Sequence, residues 1–172
     1  MQQQSTYAQA VALKHPEQIV IAIAKDARGK FNPITLGWTT IASGSPPMMA
    51  ISVGKTRYSL EAIRSAGEFV IALPSEHQKD QAVLYGTKSG RDTDKFAATG
   101  EALQPAAKID CVLLSEAVAN FECELISELD AGDHVLLLGQ IVCSHRNQKP
   151  LRRLYTVGPN YAMAGLDRQT PA

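Results

Sequence analysis

The chain has 172 residues, 45% of them hydrophobic, and its 17 basic and 17 acidic side chains leave no formal net charge. This hydrophobic content predicts one domain with a buried core, and the lack of a basic excess argues against nucleic acid as a partner. The three cysteines have no CxxC spacing and lie in apolar runs, which predicts buried free thiols and a reducing compartment.

The first residues of the chain indicate neither a secretory signal nor a membrane anchor. Segment 1–15 is polar and rich in glutamine, so we expect an arm in front of the domain. The longest apolar run, around 135–143, contains Gly139 and Gln140 and is shorter than the roughly 20 residues that span a bilayer. We therefore expect a cytoplasmic protein, with no membrane partner and a single domain over residues 1–172.

Apolar runs separated by turn residues predict a chain dominated by antiparallel strands. The predicted strands are 18–24, 31–41, 48–53, 68–73, 117–129 and 134–143. One helix is predicted over 59–66 and ends at Gly67, and a second follows a Ser75 and Gln78 capping box. Residues 86–104 and 150–172 are predicted to be loops. The pattern predicts a mainly β protein with short helices, either a closed antiparallel barrel or a sandwich.

The segment 55–59, Lys-Thr-Arg-Tyr-Ser, places cations and hydroxyl groups directly in front of the first predicted helix. We expect Ser59 to be the N-cap, which leaves the first N–H groups of the helix free to bind a phosphate. Upstream, Trp38 is the only tryptophan and lies in a strand rich in Thr and Gly that a flat ligand could approach. These features indicate a phosphorylated, ring-containing cofactor, although capping and solvation alone also explain the segment.

Two further residues are candidates for chemistry. His134 follows a Gly-Asp turn at the start of a strand, where it either faces a site at the rim or caps its own hairpin. Lys95 is either solvated in the long loop or held in place by a short turn that Phe96 anchors; loops of this length are often functional. The four histidines show no metal-binding spacing, so no metal site is expected.

A series of short motifs along the chain resembles the flavin reductase-like family of FMN-binding split barrels, and especially its flavoredoxin-like members. The resemblance covers residues 16–165. It rests on Asn32 with Trp38 six positions later, Pro46-Pro47, Arg57-Tyr58-Ser59, Gly67-Glu68-Phe69-Val70, Asp94-Lys95-Phe96, and Gly132-Asp133-His134 with Gly139. The resemblance implies an antiparallel, Greek-key-type split β-barrel that forms a homodimer with a cofactor groove between its subunits.

The resemblance also implies FMN as the cofactor and NAD(P)H as a possible electron donor. It assigns a catalytic role to His134, and cofactor binding to Asn32, Thr35, Trp38, Thr39, Thr40, Lys55, Arg57, Ser59, Lys95 and Tyr161. The preferred function is an FMN-binding oxidoreductase of the flavin reductase-like class. The alternatives are a flavoredoxin-type electron carrier that serves a redox protein partner, and a non-redox binder of another flat cofactor, such as haem or a deazaflavin.

Overall fold

Antiparallel strands dominate the protein, for which a computed structural model describes residues 1–166. The strands are β1 Glu17–Gln18, β2 Val20–Lys25, β3 Phe31–Leu36, β4 Thr39–Gly44, β5 Pro47–Gly54, β6 Glu68–Leu73, β7 Leu103–Pro105, β8 Val112–Leu114, β9 Ala119–Ala131, β10 His134–Arg146, β11 Arg153–Gly158 and β12 Ala162–Leu166. The helices are α1 Tyr7–Val11, α2 Tyr58–Ala66, α3 Lys79–Thr87 and α4 Lys95–Thr99. The prediction of a mainly β, antiparallel fold is confirmed. In residues 1–166, no helix is long and apolar enough to cross a membrane.

The main sheet has seven strands in the order β3-β2-β6-β9-β10-β5-β4. Its two edge strands, β3 and β4, follow each other in the chain, so the sheet curves around one core that contains side chains from both of its halves. The predicted continuous strand 31–41 is wrong, because the chain breaks at Gly37 and Trp38. A Cβ atom at position 37 would lie 3.0 Å from the Glu17 carboxylate, so a larger residue here would displace the end of that side chain.

Helix α2 packs inside the curved sheet and buries Leu60 and Ile63. It ends at Gly67, whose left-handed backbone (φ 69°) confirms the predicted stop. The predicted N-cap is wrong: Arg57 occupies that position, and Ser59 lies within the first turn. Ser59 is buried and its Oγ accepts a hydrogen bond from Asn32, so the hydroxyl group faces the interior instead of capping the helix.

The hairpin β9–β10 forms as predicted around the turn at 131–133, where Gly132 has a φ of 72°. Glu122 in β9 is fully buried. Burial alone would raise the pKa of Glu122, but hydrogen bonds from the Ala107 N–H, from His145 and from the Lys108 N–H hold it below its usual value. The carboxylate therefore fixes the segment that precedes β8.

Two predicted loops contain regular structure. Residues 150–172 were predicted to be a loop, which is wrong for β11 and β12, because these strands form a three-stranded sheet with β1. The last part of this predicted loop, 167–172, lies outside the described residues. In this sheet β11 and β12 form a local hairpin, and β1 adds by non-local pairing, with Gln18 opposite Tyr155. The predicted loop 86–104 contains α4. The predicted capping interaction is present, since the Ser75 N–H donates to Gln78 Oε1 at 3.0 Å, but α3 begins after a short 3₁₀ turn.

Candidate functional site

A cleft opens where the N-terminus of α2 meets β3, β5 and α3. It consists of three adjoining cavities of about 200, 140 and 360 Å³, and all three are lined by Arg57 and Gly86. The first contains Trp38 and His134 and is called the aromatic end. The second contains the basic side chains and is called the cationic end. The third contains Tyr161 and is called the outer part.

At the aromatic end, Trp38 and His134 have ring centroids 4.7 Å apart and planes inclined by 42°. Lys14 Nζ lies 5.8 Å from the centroid of the Trp38 ring, so the arm also contacts the indole, which remains 46% exposed. His134 Nδ1 pairs with Asp133 Oδ1 at 2.7 Å, and this hydrogen bond holds the pKa of Asp133 below its usual value. Since Nδ1 is engaged and Nε2 has no hydrogen bond within residues 1–166, Nε2 is the nitrogen available to a ligand.

Four basic side chains and no acidic one line the cationic end; they are Arg57, Lys88, Arg91 and Lys95. Lys95 is 4% exposed, and its Nζ donates to the carbonyl oxygens of Pro33 (2.7 Å) and Tyr85 (2.9 Å). Burial lowers the pKa of Lys95 to about 8, and the charge of Arg57 contributes. Among residues 1–166, neither Lys95 nor Arg57 has a carboxylate partner. Two neighbouring unpaired cations create a site for an anion.

The position of Lys95 follows from the short turn that the sequence predicted. Asp94 is the N-cap of α4, and its Oδ1 accepts a hydrogen bond from the Ala97 N–H at 3.1 Å. Phe96 is buried and packs edge-on against Tyr85, with ring centroids 5.6 Å apart. The prediction that Phe96 anchors this turn is confirmed, and the solvated alternative for Lys95 is wrong.

Residues 88–91 form a strap across the cationic end. The Arg28 side chain donates to the Gly90 carbonyl oxygen at 2.9 Å, and Arg91 pairs with Glu61 of α2 at 2.9 Å. The two guanidinium groups lie 5.3 and 5.2 Å from the centroid of the Tyr58 ring. Cation–π contacts and ion pairs thus fasten the strap to the first turn of α2.

Beneath the strap lies a buried polar pair. Asn32 Nδ2 donates to Ser59 Oγ at 2.8 Å, while Asn32 Oδ1 is buried and has no partner among the described residues. A Cβ atom at Gly90 would lie 2.0 Å from Asn32 Oδ1, so the strap can approach this oxygen only because residue 90 is glycine. Asn32 therefore supports the strap and lies behind the cleft.

The structure brings most of the candidate residues from the sequence together. Thr35, Trp38, Arg57, Ser59, Lys95, His134 and Tyr161 all line the cleft. Four others do not line it within residues 1–166, and one of these, Asn32, lies behind it. Lys55 pairs with Asp130 at 2.5 Å, and the hydroxyl groups of Thr39 and Thr40 donate to backbone carbonyls. The roles assigned to all of these residues remain predictions.

Several residues that were not predicted from the sequence also line the cleft, among them Gly54, Gly86, Lys88 and Arg91. For the two cations a signal existed, because they lie in the long polar loop that was expected to be functional. For the two glycines no local signal existed. They line the cleft because the fold brings β5 and α3 to opposite parts of its wall.

The fold and the cleft define a class of protein: an antiparallel β domain whose ligand cleft joins a cationic end to an aromatic end. The chain belongs to the flavin reductase-like family, since the family model described as "Flavin reductase like domain" matches residues 12–161. This membership confirms the resemblance inferred from the sequence.

Individual relatives are consistent with this family. The probable flavin reductase of Rhizobium meliloti is 32% identical over 123 residues, which cover 72% of this chain and 38% of that protein. A protein of Archaeoglobus fulgidus is 32% identical over 113 residues, which cover 66% of this chain and 64% of that protein. The chain thus spans less than two thirds of the length of these two relatives.

Solved structures have the same fold. The flavoredoxin of Desulfovibrio vulgaris superposes with a TM-score of 0.86 at 21% identity, over 99% of this chain and 97% of that one. The FMN-binding protein from Thermus thermophilus, with bound p-hydroxybenzaldehyde, has a TM-score of 0.86 at 21% identity, over 100% and 99% of the two chains. At this level of identity, the similarity establishes the fold.

Proposed function

We propose that the protein is an FMN-binding oxidoreductase that accepts hydride from NAD(P)H. This proposal rests on two cations without a carboxylate partner in residues 1–166, Arg57 and Lys95, at one end of the cleft. Trp38 and His134 lie at its other end. One ligand with an anionic group and a flat ring would satisfy both ends. The names of the Rhizobium and Thermus proteins support a flavin as that ligand.

The residues at the cationic end fit the phosphate of FMN. The first N–H groups of a helix lack partners within the helix, and α2 begins beside Arg57. A phosphate at this point would neutralise the charges of Arg57 and Lys95, neither of which has a carboxylate partner within residues 1–166. Riboflavin has the same ring without the phosphate, so it would leave these charges uncompensated.

The residues at the aromatic end fit the ring and the approach of an electron donor. When bound, FMN supplies the hydride and electron chemistry. Trp38 provides a flat apolar surface, and His134 Nε2 is free to make a hydrogen bond to a ligand. Asp133 fixes the orientation of the imidazole through Nδ1. An NAD(P)H donor also fits the cytoplasmic location expected from the free thiols.

The decisive experiment compares cofactors and donors on the purified full-length chain. We expect FMN to bind stoichiometrically and at least tenfold more tightly than riboflavin, as measured by calorimetry. In anaerobic stopped-flow mixing, NADH or NADPH should bleach the bound flavin. Equal affinity for FMN and riboflavin would contradict the phosphate assignment. Tight FMN binding without bleaching by either nicotinamide would instead assign the protein to the electron carriers.

We also propose that the protein is a homodimer. Leu129 and Leu136 lie directly opposite each other on β9 and β10, and 64% and 37% of their surfaces are exposed. Directly opposite residues point to the same face of a sheet, so the two side chains form an apolar patch. Trp38 is also half-exposed at the mouth of the cleft. A second copy of the chain that covers the patch would bury these side chains and narrow the cleft.

A further inference from the structure

A second cluster of reactive side chains lies near the C-terminal end of β10, while His134 begins the same strand. Glu122 on β9 is the register partner of Cys143 on β10, and His145 follows two residues later. Opposite residues, and residues two apart on one strand, point to the same face of a sheet. The cluster therefore presents a carboxylate, a thiol and an imidazole, whose ligand atoms all lie within 4.8 Å of one another.

The carboxylate of this cluster is held in a fixed orientation. Its Oε2 accepts hydrogen bonds from the backbone N–H groups of Lys108 (2.7 Å) and Ile109 (3.2 Å). Its Oε1 accepts one from the Ala107 N–H (2.8 Å) and lies 2.5 Å from His145 Nε2. One lone pair of Oε1 thus faces the histidine, while backbone donors hold the rest of the group. Metal-binding carboxylates are typically supported in this way by an outer shell of hydrogen bonds.

The thiol of the cluster differs from the other two cysteines. All three are free, but Cys111 and Cys123 are buried, and burial raises the pKa of each of these thiols to about 12. Cys143 is only half-buried. Beside it, His145 lines an open cavity of about 450 Å³, so a small cation has a route from solvent.

We propose that Glu122, Cys143 and His145 bind a thiophilic divalent cation of the Zn²⁺ class, with a fourth position open to solvent. Sulfur, nitrogen and oxygen donors of this kind suit Zn²⁺, which lies about 2.0–2.3 Å from its ligands. Ligand atoms of a tetrahedral site are then about 3.3–3.8 Å apart. His145 Nε2 lies 2.5 Å from Glu122 Oε1, so the imidazole must move about 1 Å away from the carboxylate to meet this geometry. A carboxylate and a thiolate also neutralise the charge of the ion.

Motifs of closely spaced ligands in the sequence do not reveal this site. Such motifs place ligands a few residues apart on helices or knuckles, whereas here the carboxylate comes from the neighbouring strand. The site links β9, β10 and segment 107–109, so we expect the metal to stabilise this part of the fold. The metal site is separate from the cleft, and metal binding there does not depend on the redox function proposed for the cleft.

The test titrates the metal-free, untagged full-length chain with Zn²⁺ by calorimetry and with Co²⁺ by absorption spectroscopy. We expect one equivalent to bind, with a thiolate-to-cobalt band in the near ultraviolet. Cys143→Ser should abolish that band, and Cys143→Ser and His145→Gln should each weaken binding at least tenfold. His77→Gln replaces an exposed histidine outside the cluster and should leave binding unchanged.

A second readout guards against loss of folding in the variants. One equivalent of Zn²⁺ should raise the thermal midpoint of the wild type and leave that of the Cys143→Ser/His145→Gln double variant unchanged. Absence of saturable binding by the wild type would overturn the proposal. A cobalt spectrum without a thiolate band, or equal binding by the folded double variant, would overturn it as well.

Discussion

The rings of Trp38 and His134 lie against each other with centroids 4.7 Å apart, although 95 residues separate them in the chain. The contact forms because β4 and β10 lie on either side of β5, which brings the turn before β4 next to the first residue of β10. It places an imidazole with a free Nε2 beside the aromatic surface of the cleft.

If His134 serves the electron donor, His134→Ala should leave FMN affinity within about twofold of the wild type. It should slow reduction by NAD(P)H about 10²-fold or more, since acid–base and positioning groups contribute effects of this size. Stopped-flow spectrophotometry measures the rate, and His77→Ala serves as a control outside the cleft. A wild-type rate in His134→Ala would mean that this histidine only closes its hairpin.

Substitution of Arg57 tests whether the cationic end binds the phosphate of FMN. Charge-assisted hydrogen bonds contribute about 1.5–3 kcal/mol each, so Arg57→Gln should weaken FMN binding roughly tenfold or more. Riboflavin binding should change little. Lys55→Gln is the matched control, because Lys55 pairs with Asp130 outside the cleft and should alter FMN affinity less than twofold. Equal losses for FMN and riboflavin in Arg57→Gln would show that Arg57 does not contact the phosphate.

If Lys95 binds the phosphate, FMN binding should depend on pH. Its pKa in the free protein is about 8, because burial and the charge of Arg57 oppose protonation. Below this pH the side chain is charged and favours an anion. As the pH rises above about 8, the free protein loses this charge, so FMN affinity should fall.

Calorimetry between pH 7 and 9.5 measures this dependence. A phosphate bound beside Lys95 would stabilise the charged lysine and shift its pKa upward in the complex, so the fall should extend above pH 8. Lys95→Gln should remove most of the pH dependence and lower the midpoint potential of the bound flavin. Lys79→Gln, on exposed helix surface, should retain the wild-type profile. An unchanged profile in Lys95→Gln would rule out this role.

The strap provides a steric test. Gly90→Ala would place a Cβ atom 2.0 Å from Asn32 Oδ1, so the strap must move away from the first turn of α2. We expect FMN affinity to fall several-fold and the thermal midpoint to drop. Gly44→Ala is the matched control, because a Cβ atom there has open space around it. If the two variants bind FMN equally well, the strap does not shape the cationic end.

The dimer proposal has its own test. Leu129→Gln with Leu136→Gln should shift the protein to a monomer in sedimentation velocity at micromolar concentration, because the patch becomes polar. Val157→Gln changes another exposed apolar residue, on β11, and should leave the dimer intact. A wild type that sediments as a monomer with FMN tightly bound would show that one chain holds the whole cofactor site.

Local signals were sufficient for several elements. Strand β6 lies at the predicted residues, the β9–β10 turn was recognised from its Gly-Asp pair, and Gly67 ends α2. In each case the determining interactions lie within a few residues: a buried apolar run, a two-strand turn, or a left-handed backbone position. The order of the motifs also indicated the family, which the match to residues 12–161 confirmed.

Other features depend on partners distant in the chain, and only the tertiary structure decided them. Ser59 faces Asn32 instead of capping α2, and β11 lies between β12 and the distant strand β1. Lys95 is buried because β3 and α3 supply carbonyl acceptors for its ammonium group. The sequence alone determined the class of fold and most of the residues around the cleft. The hydrogen-bond partners, burial and charge state of these residues depend on the packing of α2 against the curved sheet. Contacts between distant residues set how well water solvates each group.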